Sequence, residues 1–98
     1  MKNILLFGKN GQIGWELQRT LAPLGRVVAI DKDRCDLSIP EIIIDTIRDL
    51  KPDLIVNAAA YTAVDRAEED VKKAAAINVE APGIMAQEAK KLRIPLIH

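Results

Sequence analysis

Asn3-Ile4-Leu5-Leu6-Phe7-Gly8-Lys9-Asn10-Gly11-Gln12-Ile13-Gly14 joins an unbroken apolar run to three glycines spaced three apart, and a helical stripe begins beside the last of them. An apolar run without period-two alternation is what a strand buried on both faces looks like. Gly8 permits a tight turn out of that strand, Gly11 lets the backbone approach a pyrophosphate with no Cβ in the way, and Gly14 lets the helix pack closely on the strand. The N–H groups and positive dipole end of the helix then face the phosphates. The spacing is G-x-x-G-x-x-G rather than the commoner G-x-G-x-x-G dinucleotide fingerprint, and it takes its weight from standing between a buried strand and an amphipathic helix. A phosphate-binding Walker loop ends in Gly-Lys-Ser/Thr; here Gly8-Lys9 opens the loop and Asn10 follows, so that reading fails on order.

Outward from this stretch the pattern repeats. Residues 4–7, 27–30, 54–56 and 95–97 read as short strands buried on both faces. Ile13, Leu17, Leu21 and Leu24 form one stripe of a helix that starts after Gly11 and stops between Pro23 and Gly25. Ser38-Ile39-Pro40-Glu41 has capping-box spacing with proline in the first turn; Ile43, Ile47 and Leu50 share the face that follows, and Pro52 closes the helix. Val64, Ala67, Val71 and Ala74 stand in register with Asn78, whose amide reads equally as a helix-ending asparagine bonding local backbone or as an inward-facing polar bridge, and Met85, Ala89 and Leu92 mark the inward face of a last helix over residues 80–92. Asn78-Val79 and Ala81-Pro82 predict a break or kink between those two helices. Alternating strands and helices with short connections imply parallel strands joined by right-handed crossovers: an α/β fold, a Rossmann-like doubly wound parallel sheet, here the amino-terminal part of an NAD(P)-binding domain over residues 1–98.

Composition narrows the function classes. Fourteen basic and fourteen acidic side chains leave no formal net charge, which argues against a nucleic-acid-binding or polybasic membrane protein. No apolar run approaches the roughly 20 residues that cross a bilayer, and the amino terminus lacks a signal-peptide core, so a cytoplasmic protein is expected. One cysteine, Cys35, excludes an internal disulfide, and one histidine with one cysteine makes no closed zinc site. Cys35 reads as an inert loop residue.

Three further segments point to a dinucleotide. Asp31 ends the second strand twenty residues after Gly11, where a carboxylate can accept both adenosine ribose hydroxyls; that favours NAD, while Lys32 and Arg34 could serve a 2′-phosphate. Asp36-Leu37 follows where the adenine would lie, the carboxylate suited to the exocyclic amine and the leucine to the ring face; a polar turn residue and a core-edge leucine account for them nearly as well. Asn57-Ala58-Ala59-Ala60 ends the third strand, and small side chains there leave room for a dinucleotide, or for tight helix–sheet packing, or for both.

Residues 3–17, together with Asn57-Ala58-Ala59-Ala60-Tyr61-Thr62-Ala63-Val64-Asp65-Arg66-Ala67-Glu68, closely resemble the dTDP-4-dehydrorhamnose reductases, extended short-chain dehydrogenase/reductases of nucleotide-sugar metabolism. The resemblance implies NADPH- or NADH-dependent reduction of the C4 ketone of dTDP-4-dehydro-L-rhamnose to dTDP-L-rhamnose, used in cell-surface polysaccharide. It places cofactor contacts on the glycine loop (Gly8, Gly11, Gln12, Ile13 and Gly14), on Asp31, on Asp36 and Leu37, and on Ala60, Tyr61 and Thr62. Leu37 stands where members of the family carry phenylalanine, which puts stacking on adenine, though not contact, in question. Some members form homodimers with Mg2+ among glutamates at the interface, and Glu16 matches one such position; an exposed helix glutamate is more often simply solvated, and no metal ligand is assigned here.

The family's chemistry uses a Tyr-x-x-x-Lys pair, the tyrosine protonating the C4 oxygen and the lysine lowering its pKa. The sole tyrosine, Tyr61, has Asp65 four residues on, a carboxylate that would raise its pKa, so it is not the catalytic acid and no catalytic residue is assigned. The final strand with nothing after it suggests a fragment, with the Tyr-x-x-x-Lys pair and the sugar-nucleotide domain beyond His98, and predicts no reductase activity for the 98 residues alone. Two other readings stay open: a non-catalytic regulatory subunit of this fold, like the β subunit of methionine adenosyltransferase, or another nucleotide-sugar reductase or epimerase.

Overall fold

A computed structural model describes residues 2–8, 12–31, 34–59 and 75–97. In chain order the elements are β1 (Asn3–Phe7), α1 (Gln12–Leu21) with a 3-10 turn (Ala22–Leu24), β2 (Arg26–Ile30), α2 (Pro40–Leu50), β3 (Leu54–Asn57), a π-helical stretch (Ala76–Glu80) leading into α3 (Ala81–Leu92), and β4 (Leu96–Ile97). The four strands are parallel in the order β2-β1-β3-β4. The chain steps from β1 outward to β2, then crosses back over β1 to reach β3. Winding therefore reverses between β1 and β3, and helices cover both faces of the sheet.

β1 shows why the apolar run has no alternation. Leu5 and Phe7 point to the face covered by α2 and α3, joining Ile30, Ile43, Ile47, Ile55 and Met85. Ile4 and Leu6 point to the other face with Leu21 and Val56, where Leu17 of α1 packs. All four are at most 2% exposed, and full burial of such side chains stabilises by about 1.5–3 kcal/mol each. Burial on both faces extends to β3 within Ile55–Asn57, but not to β2, where Val27, Val28 and Ala29 are half-buried, nor to β4, where Ile97 is exposed. Both are edge strands and lack a neighbour on one side.

The helix ends correct several sequence expectations. Leu24 is 64% exposed because the chain tightens into the 3-10 turn at Ala22–Leu24, where three residues per turn carry it off the α-helical stripe. Leu92, the last residue of α3, is also exposed. The capping box at Ser38 does not form: Ile39 is the N-cap of α2 with no side-chain bond, and Pro40 opens the helix. Within residues 75–92 the helical backbone is continuous, and the irregularity expected near Asn78-Val79 takes the form of the π-helical stretch. The Ala81 N–H donates to the Ala76 carbonyl in a wide i→i+5 turn, and Pro82 falls in the first turn of α3, where its missing N–H costs least. Asn78, within that π-helical stretch, is exposed rather than inward-facing. The part of the same stripe at Val64, Ala67, Val71 and Ala74 lies outside the described residues.

One buried charge ties α2 to α3. Glu88 is 3% exposed; Nε of Arg48 donates to its Oε1 at 2.8 Å, and Nζ of Lys91 lies 3.2 Å from Oε2. The Arg48 hydrogen bond outweighs the opposing effect of burial and, with Lys91, holds the carboxyl below its ordinary value of 4.5. Among the described residues no helix is long and apolar enough to cross a membrane.

Candidate functional site

Phe7 is the point of register for three strands: it pairs with Ile30 on one side and Asn57 on the other. The residues that follow each strand therefore emerge side by side at one edge. Gly8 N–H donates to the Ile30 carbonyl at 3.0 Å, and Ala58 N–H donates to the Phe7 carbonyl at 3.0 Å. Asn57, nearly buried, accepts the Ala59 N–H on Oδ1 at 3.1 Å and so folds the β3 tail back on itself.

Gly8 has φ +92°, a left-handed conformation that L side chains rarely adopt. A Cβ there would also lie 2.7 Å from the Ala59 nitrogen and 2.8 Å from both the Ala58 carbonyl carbon and the Ala59 Cα. Its role thus exceeds the turn that the sequence implied: it lets the β3 tail close against the start of the glycine loop. Ala58 packs against the α1-side core and Ala59 against the opposite core, so the small-residue run does serve tight packing on both faces.

Asp31 is half-buried directly after Ile30, beside Gly8. Its carbonyl accepts the N–H groups of Arg34 at 3.2 Å and Cys35 at 2.9 Å, and this turn leads the chain to Asp36. Oδ1 of Asp36 accepts both the Ser38 N–H at 2.9 Å and the Ser38 hydroxyl at 2.6 Å. Leu37 is half-buried against the core that holds Cys35, Ile43 and Ile47, the core-edge placement weighed for it. Cys35 is 1% exposed; burial pushes its thiol above 9.0, with Asp36 adding and a hydrogen bond with Thr46 opposing. An inert thiol follows.

The described residues thus bring Gly8, Asp31 and the β3 tail to one edge, with Asp36 and Leu37 on the connection that leaves it. Gln12 and Ile13 open α1, and Gly14 is buried in its first turn. Gly11, Ala60, Tyr61 and Thr62 lie outside the described residues. Two contributors escape a reading of motifs. Ser38 looks like a helix cap but bonds Asp36, and Asn57 looks like a strand end but anchors Ala59; an acid two residues before a serine, and an amide two residues before a free N–H, are the local patterns that signal each. Trp15, exposed on α1, carries the Arg19 guanidinium 5.5 Å from its ring centroid.

In open α/β sheets, ligands bind beyond the carboxyl ends of the strands, where the winding reverses. Here the winding reverses between β1 and β3; Gly8 and Ala58 follow those two strands at that edge, and Asp31 follows the neighbouring β2. A dTDP-4-dehydrorhamnose reductase from Escherichia coli strain K12 is 51% identical over 98% of this chain and 33% of its own length. A crystal structure of a dTDP-4-dehydrorhamnose reductase from Clostridium acetobutylicum superposes with TM-score 0.86 at 32% identity, over 96% of this chain and 34% of that one. Another, from Bacillus anthracis in complex with NADP, superposes with TM-score 0.84 at 28% identity, over 97% of this chain and 34% of that one. The chain spans about a third of the length of the curated relatives it matches. Residues 1–98 match a sequence family throughout, and with the parallel sheet, its reversed winding and the left-handed glycine after β1 in place the chain belongs to the family described as the RmlD substrate binding domain.

Proposed function

We propose that the full-length protein is an NAD(P)H-dependent reductase that converts the C4 ketone of dTDP-4-dehydro-L-rhamnose to the alcohol of dTDP-L-rhamnose, and that the residues described above belong to the amino-terminal part of its cofactor-binding domain. The observation that carries this reading is the 51% identity to the Escherichia coli reductase across 98% of the chain. The NADP in the Bacillus anthracis structure supports a dinucleotide as the ligand of this sheet edge.

When bound, NAD(P)H supplies a hydride. The residues of this chain bind and orient. Gly11, Gln12, Ile13 and Gly14 would present backbone N–H groups to the pyrophosphate at the start of α1. Asp31, half-buried at the end of β2, would accept the ribose hydroxyls, while Asp36 would accept the adenine amine and Leu37 would cover one face of the ring. Ala60, Tyr61 and Thr62 would line the wall after β3. Arg34, exposed on the turn after Asp31, would supply a cation for a 2′-phosphate, so the reading takes NADPH as well as NADH.

The test is turnover of dTDP-4-dehydro-L-rhamnose by the full-length protein, followed by loss of the reduced-nicotinamide absorbance and by identification of the product. Formation of dTDP-L-rhamnose is expected. No reaction with this ketone, or reaction with a different nucleotide sugar in its place, would overturn the assignment and favour the regulatory or the epimerase reading.

A further inference from the structure

Ser38 stands where a capping serine should, three residues before Glu41 and two before the proline that opens α2, yet it leaves the cap position to Ile39, which makes no side-chain bond. Its hydroxyl and its N–H both go instead to one oxygen, Oδ1 of Asp36, at 2.6 Å and 2.9 Å. Two donors from one residue converging on a single carboxylate oxygen fix the rotation of that carboxylate as well as its position. The backbone on either side is pinned too: the Asp36 carbonyl accepts the Ile39 N–H at 3.0 Å, Leu37 packs on the core, and Cys35 before it is buried.

These bonds fix the half-buried Asp36 carboxylate at the exit of the Asp31 turn. We propose that Ser38 is a positioning residue for base recognition: by locking Asp36, it makes the site select an adenine, whose exocyclic amine donates, over a purine that carries a carbonyl at the same place. This rests on the nucleotide-binding reading given above. It predicts selectivity set by a residue that itself touches no part of the nucleotide.

The experiment measures binding of NADPH and of its deamino analogue, in which hypoxanthine replaces adenine, to the full-length protein and to Ser38→Ala, Ser38→Thr and Asp36→Asn. The native protein should prefer NADPH by about tenfold, the scale of one charge-assisted hydrogen bond. Ser38→Ala should reduce that preference to roughly twofold with the melting temperature little changed, Ser38→Thr should restore it, and Asp36→Asn, whose amide can donate to the hypoxanthine carbonyl, should abolish it. Full preference retained in Ser38→Ala would overturn the role of Ser38. A native protein that binds both nucleotides equally would overturn the recognition by Asp36 while leaving the cofactor reading intact, and a native protein that binds neither would remove the reading on which the inference rests.

Discussion

Replacing Gly8 with alanine should destabilise the protein by about 3–4 kcal/mol, and the structure separates the contributions. A side chain at φ +92° costs about 1–2 kcal/mol on conformational grounds alone. The new Cβ would meet backbone rather than a flexible side-chain end, 2.7 Å from the Ala59 nitrogen, so the β3 tail must retreat by roughly 0.8 Å to reach ordinary contact. That retreat lengthens the bonds from Ala58 N–H to Phe7 (3.0 Å) and from Ala59 N–H to Asn57 Oδ1 (3.1 Å) beyond hydrogen-bonding range. Each lost bond costs about 1 kcal/mol. Urea titration of the full-length protein and of Gly8→Ala measures the sum as a lowered midpoint at unchanged slope. Gly83→Ala is the control, because a Cβ in that exposed first turn of α3 meets nothing within 4 Å and should stabilise by about 0.5–1 kcal/mol. A Gly8→Ala loss below about 1 kcal/mol, or the same sign at both glycines, would refute the reasoning.

Glu88→Gln should cost about 1 kcal/mol at neutral pH, the low end for a charged hydrogen bond, because the Arg48 and Lys91 side chains are 58% and 64% exposed and screened by solvent. The folded-state pKa of Glu88 is depressed, so its contribution is present above the ordinary carboxyl value of 4.5 and is lost as pH falls through the lower folded value; urea midpoints of both proteins against pH should converge below 4.5, and convergence at neutral pH would contradict the pairing. Cys35, buried with its thiol pushed up, should react with an aromatic disulfide reagent only after unfolding, which peptide mapping of the labelled cysteine reads directly. Asp31→Ala should weaken NADH binding to the full-length protein by about tenfold; unchanged affinity in a titration would take Asp31 out of the site.

Much of the fold is legible in residues 3–14 because continuous burial and helical periodicity are both strong local signals. The four strands lie where the apolar runs are, with ends that differ by a residue, and Ile43, Ile47, Met85 and Ala89 face the core as their spacing implies. Expectations failed where the helical phase changes. Leu24 ends a 3-10 turn and Asn78 lies in a π-helical stretch, and neither deviation leaves a mark in hydrophobic spacing. Glu88 escaped notice because a carboxylate inside an apolar stripe reads as an interruption, although Met85, Glu88 and Ala89 share the face and Arg48, forty residues away, supplies the partner. For the site, the sequence identifies the glycines and acids but not their mutual support. Gly8 is matched to Ala59 across fifty-one residues of chain, and the competition between capping α2 and holding Asp36 is decided by local geometry.

The proposed dinucleotide site lies at the sheet edge where the winding reverses, between the carboxyl ends of β1 and β3. A crystal structure of the full-length protein with NADPH tests it most directly. The pyrophosphate is expected beyond the carboxyl ends of β1 and β3 at the start of α1, the adenosine ribose beside Asp31 and the adenine amine against Asp36. A nucleotide bound elsewhere, or one lying at that edge with its adenosine end away from the β2 turn, would contradict this placement.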